Sequence, residues 1–171
     1  MRTVGVLAAA ILLAGCGAGE EGASAAASFP PDDAAMVSGT ATCEITSTSS
    51  ARVRGVSEIY EHFTCTLDMS DPRVSGTEEL DITTRVLDQE IATPWVVTSA
   101  TLTSETGTWT GEGAGVLDWS GSQPYAEGVE PFNYGEMHYS GVGDLAGLEF
   151  HYYAAGSDYG LAYVGWIEED E

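Results

Sequence analysis

From Val37 onward, apolar residues recur at every second position, and nowhere is a 3.6-residue period sustained. That alternation fits strands with one buried face and excludes an amphipathic helical bundle. Val37, Gly39, Ala41, Cys43 and Ile45 interleave with Ser38, Thr40, Thr42, Glu44 and Thr46. Ile59, Phe63, Cys65, Leu67 and Met69 interleave with Tyr60, Thr64, Thr66 and Asp68. Setting Cys43 opposite Cys65 in an antiparallel pair puts Ile45 against Phe63, Ala41 against Leu67 and Gly39 against Met69. One register then satisfies a disulfide and an apolar face together.

Six further segments continue the pattern. Asp71-Pro72 signals a turn, and Leu80, Ile82, Thr84 and Val86 mark a third strand. Residues 95–103 give a fourth, with its buried face undetermined. Residues 108–117 give a fifth, with Gly111, Gly113 and Gly115 on the face of Trp109. Glycines at period two predict strong coiling or close approach of another layer. Residues 132–140 and 147–155 give the sixth and seventh. The expected register sets Glu136 opposite His151, His138 opposite Glu149, Tyr139 opposite Leu148 and Met137 opposite Phe150. Gly156-Ser157-Asp158 is the expected turn into an eighth strand, residues 159–167, with Leu161 against Tyr152 and Tyr163 against Phe150. These pairings place Tyr139, Leu148, Phe150, Tyr152, Leu161 and Tyr163 in the core. The fold class is all-β: a single antiparallel eight-stranded barrel, which leaves no edge strand. A β-sandwich is the alternative.

The N-terminal region reads differently. Arg2 precedes an apolar run, Val4 to Ala14, that ends in Leu13-Ala14-Gly15-Cys16. The run is too short to span a bilayer, which takes about 20 residues, and it has the layout of a secretory signal. It resembles a bacterial lipoprotein signal, whose pattern is Leu-small-small-Cys. The resemblance implies removal of residues 1–15 and attachment of a diacylglycerol to the Cys16 thiol. Two acyl chains anchor stably where one does not. Residues 17–36 are rich in Gly, Ala, Ser and acid, and lack apolar periodicity. They read as a tether spanning roughly 25 Å as a flexible coil. The expected organisation is a signal over 1–15, a lipidated cysteine and acidic tether over 16–36, a barrel domain over 37–167, and an acidic tail over 168–171. The expected location is the cell envelope, outside the cytoplasm and lipid-anchored.

Charge narrows the partners. Asp and Glu number 27 against five arginines, for a net charge of −22. Such a surface repels phosphate, so nucleic acid is excluded as a partner. It repels anionic headgroups too, leaving the lipid on Cys16 to hold the membrane. Basic partners are favoured. With Cys16 acylated, Cys43 and Cys65 remain and should pair in an oxidising compartment. A metal site on them is the rival reading, but no second cysteine pair or histidine stands at ligand spacing.

Glu136, His138, Glu149 and His151 form the sharpest chemical group. Histidine beside carboxylate is the usual general-base pairing, and two of each can bind a divalent metal. They lie opposite the apolar face, where an exposed charge ladder is the simpler account. Asp68, Asp71 and Glu78-Glu79 surround the Asp71-Pro72 turn but lack the spacing of a calcium loop. No Gly-x-Ser-x-Gly, His-Glu-x-x-His or phosphate loop is present. No metal or cofactor is assigned. The long connection from Asp118 to Pro131 carries Trp119 and Tyr125. They are ligand-binding candidates if that loop covers a barrel mouth, or they plug one end.

Three stretches carry a resemblance: Asp71-Pro72-Arg73-Val74-Ser75-Gly76, Trp109-x-Gly111, and Gly141-Val142-Gly143-Asp144-Leu145-Ala146-Gly147-Leu148. In that order they resemble uncharacterised bacterial secreted proteins with a barrel similar to allene oxide cyclase and dirigent proteins. The resemblance implies a fold and carries over no catalytic residue. Gly107-Thr108-Trp109 is similar to avidin-type and lipocalin barrels over three residues only. Three readings follow. One is an envelope lipoprotein whose barrel binds a small apolar ligand or a protein. The second is an isomerase or cyclase acting in the barrel mouth. The third is a structural envelope protein. A buried, desolvated carboxylate or histidine inside the barrel would favour the enzyme.

Overall fold

In a computed structural model, residues 30–86, 92–119, 131–157 and 160–170 are described. The expected signal, Cys16, most of the tether, Tyr125 and most of the 118–131 connection lie outside these residues. Eight strands follow in chain order. They are β1 (Ala35–Val53), β2 (Val56–Met69), β3 (Gly76–Val86), β4 (Ala92–Ser104), β5 (Thr108–Asp118), β6 (Phe132–Val142), β7 (Leu148–Ser157) and β8 (Gly160–Glu169). Each pairs antiparallel with the next, and β8 returns to β1, closing an eight-stranded barrel.

The first hairpin follows the sequence. Cys43 stands opposite Cys65, Ile45 opposite Phe63, Ala41 opposite Leu67 and Gly39 opposite Met69. The Cys43–Cys65 disulfide joins the two strands. Arg54 and Gly55, both at positive φ (52° and 90°), turn the chain between Val53 and Val56. Two residues at positive φ give the turn whose twist matches a hairpin.

Two registers differ from expectation. Across β6 and β7 the pairing is displaced by two: His138 faces His151, Tyr139 faces Phe150, Met137 faces Tyr152 and Glu136 faces Tyr153. A shift of two leaves every side chain on its face, so hydrophobic pattern alone cannot choose between the registers. The connection decides. A 3-10 turn over Gly143–Leu145, with Gly143 (φ 67°) and Gly147 (φ 88°), consumes residues that a tight hairpin would have paired. Across β7 and β8, Tyr163 faces Ala154 and Leu161 faces Gly156, with Ser157 and Gly160 as the last pair. Gly156 is a strand residue here, not a turn residue. A Cβ on it would strike the Gly160 carbonyl.

Strand limits move as well. Ala35 and Met36, expected in the tether, pair with Ile167 and Trp166. Glu168 and Glu169, expected in the tail, pair with Glu149 and Leu148. A bulge between Val97 and Ala100 explains why the face of β4 was illegible. Trp95 and Val97 point inward before it, Ala100 and Leu102 after it, and all four are buried.

The expected core is present. Tyr139, Phe150, Tyr152 and Tyr163 are buried, and Leu148 and Leu161 pack against them half-exposed. The three stretches that carried the family resemblance meet at one end. Trp109 Nε1 donates to the Arg73 carbonyl at 2.7 Å, closing the turn that buries Val74. Gly107 and Gly141 leave room for Leu145. Trp109 meets Phe150 edge-on at 6.0 Å between ring centres. This end is filled.

Candidate functional site

The opposite half of the lumen is hollow. It holds a cavity of about 360 Å³ walled by Phe63, Leu80, Ile82, Trp95, Val97, Met137 and Leu161, with the Cys43–Cys65 disulfide on one side. That volume lies in the lower part of the range of small-molecule sites, roughly 300–1,000 Å³. Trp119 forms an end wall. It is buried, and its Nε1 donates to Thr93 Oγ1 at 2.8 Å. Trp119 thus lines the cavity with its indole held in place by Thr93. Tyr125, its expected companion, lies outside the described residues.

Trp95 lies across two strands. A Cβ on Gly115 of β5 or on Gly135 of β6 would clash with its ring, at 2.2 and 2.3 Å from the nearest ring carbon. Gly113 likewise makes room for the Met137 sulfur and Gly111 for the Tyr139 ring. The glycines expected to admit another layer admit lumen side chains of the neighbouring strands instead. Trp95 Nε1 donates to Asn133 Oδ1 at 2.9 Å, fixing the ring at the cavity wall.

Between the hollow and filled ends lies a polar layer. Glu78 is fully buried, and its Oε1 accepts from Tyr139 Oη and Tyr152 Oη, each at 2.6 Å. Its Oε2 has no hydrogen-bond partner among the described residues. Burial pushes the Glu78 carboxyl up, and the two phenol donors only partly oppose this. Burial, then the adjacent Glu78, raises the Tyr139 and Tyr152 phenols well above their ordinary range. Tyr152 and Tyr163 form part of the cavity lining, whereas Glu78 lies behind it.

A prediction follows from the Glu78 linkage. Its folded carboxyl titrates above the unfolded value, so its contribution is complete below pH about 4.5 and is lost as pH rises through the folded value. Above that point a buried carboxylate must ionise without a counter-ion. Glu78→Gln should therefore gain on the native protein, in denaturant midpoint, as pH rises from 4 to 7.5. A difference between the two that stays constant over this range would contradict the argument.

Glu61 shares the inward parity of Phe63 and Cys65 on β2. It lines the cavity half-buried and makes no hydrogen bond or ion pair among the described residues. Desolvation raises its carboxyl above the ordinary value. None of the described arginines lines the cavity. Arg73 is held by Asp71 at 2.7 Å and Arg85 by Glu58 at 3.1 Å.

The histidine–carboxylate group lies on the outer face, away from the lumen. His138 Nε2 meets Glu149 Oε2 at 2.5 Å, a diagonal contact across the shifted register. His151 Nε2 meets Glu168 Oε1 at 3.1 Å and stacks between His138 and Trp166. Burial first, then the neighbouring His138, lowers the His151 imidazole. Glu136 stands opposite Tyr153 and does not face His151 as expected. Among the described residues no three His, Cys, Asp or Glu gather to hold a metal ion. At the Asp71-Pro72 turn, Asp71 is engaged by Arg73 and Glu78 points into the barrel, so the acids there do not converge.

These features define an antiparallel eight-stranded barrel filled at one end and hollow at the other. Compared with known proteins, the chain matches no family model, no curated protein and no solved structure.

Proposed function

We propose that this protein is an exported, lipid-anchored envelope protein whose barrel lumen binds a small, mainly apolar ligand. The observation that carries the binding half is the 360 Å³ cavity, walled by aliphatic and aromatic side chains with few polar groups. Sites of that composition gain affinity from apolar burial and take their orientation from the few polar groups. The Cys43–Cys65 disulfide supports the export half, since such bonds persist in oxidising compartments. The Leu-Ala-Gly-Cys run at 13–16 supports the anchor.

One experiment tests both halves: native mass spectrometry of the protein extracted from its own envelope. The expected species begins at Cys16, carries a diacylglyceryl adduct and retains a small molecule. A chain that still carries residues 1–15 would sink the anchor. A lumen that never yields a ligand, from any envelope preparation, would sink the binding.

A second reading has its own observation. Glu61 is a desolvated carboxyl at a cavity wall, the kind of group an isomerase or cyclase uses as acid or base. Glu78 does not add to this, because it lies behind the lining. Under this reading the recovered molecule is rearranged by the native protein and left unchanged by Glu61→Gln.

A further inference from the structure

We propose that the lumen selects apolar ligands bearing a positive charge, and that Glu61 is the group that selects them. This deepens the ligand-binding reading above and rests on it. Among the described residues, the cavity wall presents aromatic rings, aliphatic side chains, the polar groups of Thr84, Asn133 and Ser157, and one carboxyl. That carboxyl has no hydrogen bond or ion pair among the described residues. Among the described residues, its only ionisable companions in the wall are the phenols of Tyr152 and Tyr163. Among the described residues no arginine lines the cavity, and the chain contains no lysine.

The consequence differs with ligand charge. A neutral apolar ligand would strip the remaining water from Glu61 and return nothing to it. An anionic amphiphile, such as a fatty acid, would also place like charge beside it. A cation would supply the missing counter-ion in a low-dielectric setting, where pairing is strongest. The faces of Trp95, Phe63 and Tyr163 add attraction for a cation lying against them. The net charge of −22 steers cations toward the molecule from outside. Desolvation already raises the Glu61 carboxyl, so an arriving cation should drive out any proton it holds.

The test compares three probes of one chain length: decyltrimethylammonium, decanol and decanoate, titrated calorimetrically into the full-length protein below their aggregation limits. The cation should bind about tenfold or more tighter than the carboxylate. In buffers of differing ionisation enthalpy its binding should release protons at pH 4.5, where a carboxyl held above that value is more than half protonated, and decanol should release none. Glu61→Gln should weaken the cation toward the decanol value, leave decanol as tight or tighter because the desolvation cost is gone, and abolish proton release. Glu61→Leu should do the same, which guards against a fold defect in either variant. If decanol binds but the cation gains nothing, or keeps its full advantage in both variants, the preference is absent or belongs to the acidic surface. The inference then fails while ligand binding stands. If no probe binds, both fail.

Discussion

Replacing Phe150 with alanine should cost about 3–5 kcal/mol in unfolding free energy. Phe150 is fully buried. Its ring meets Trp109 edge-on, stacks with Tyr139 at 6.1 Å and lies 5.3 Å from Tyr152. Truncation therefore removes aromatic area and leaves a void between rings that strand pairing holds in place. The surroundings can collapse little, because every strand of the closed barrel is fixed on both sides. The loss should appear as a lower denaturant midpoint with an unchanged slope. A loss under 1 kcal/mol would mean that the filled end tolerates voids. Phe150 lies away from the hollow half, so probe affinity measured well below the melting temperature should be unaffected.

Breaking the disulfide should have the second largest effect. Cys43 and Cys65 are 22 residues apart. Closing a loop of that length restricts the unfolded chain by about 3 kcal/mol in the chain-entropy treatment. The double change Cys43→Ala with Cys65→Ala removes the cross-link without leaving a free thiol in the wall. Its unfolding free energy should fall by that amount, and that of the native protein under reductant should fall with it. A double variant as stable as the native protein would show that the hairpin turn at Arg54-Gly55 already holds the register alone. Because the disulfide borders the cavity, the same variant should also alter probe binding.

The first hairpin was legible from sequence because two independent constraints, a cysteine pair and an apolar face, demanded one register. The β6–β7 and β7–β8 pairings had only the apolar face. Shifts of two and four preserve that face, so the connections chose. The barrel followed from eight similar strands and needed no long-range information. The site was harder to read. Glu78 continues the inward series Leu80, Ile82 and Thr84, and Glu61 continues Phe63 and Cys65. Both signals were present, but an acid beside a turn, or between strand residues, reads first as surface. Only the closure of the barrel shows that those positions have no solvent face to turn to. The outer histidines were misleading for the opposite reason. Their chemistry is conspicuous in sequence, yet their parity puts them outside. The cavity had no sequence signal, since it is the volume left after side chains from all eight strands are placed.

Gly111, Gly113, Gly115 and Gly135 leave the barrel wall only one backbone thick where Tyr139, Met137 and Trp95 lie against it. This imposes an order on how the lumen can be remodelled. A methyl group added at Gly135 clashes with the Trp95 ring alone, so that glycine cannot change first. The indole has to shrink before the wall can thicken. Once the wall has thickened, the indole cannot return. Each such step is a ratchet, and a descendant of this barrel would change calibre by exchanging a ring on one strand for a methyl on the strand that the ring reaches across to.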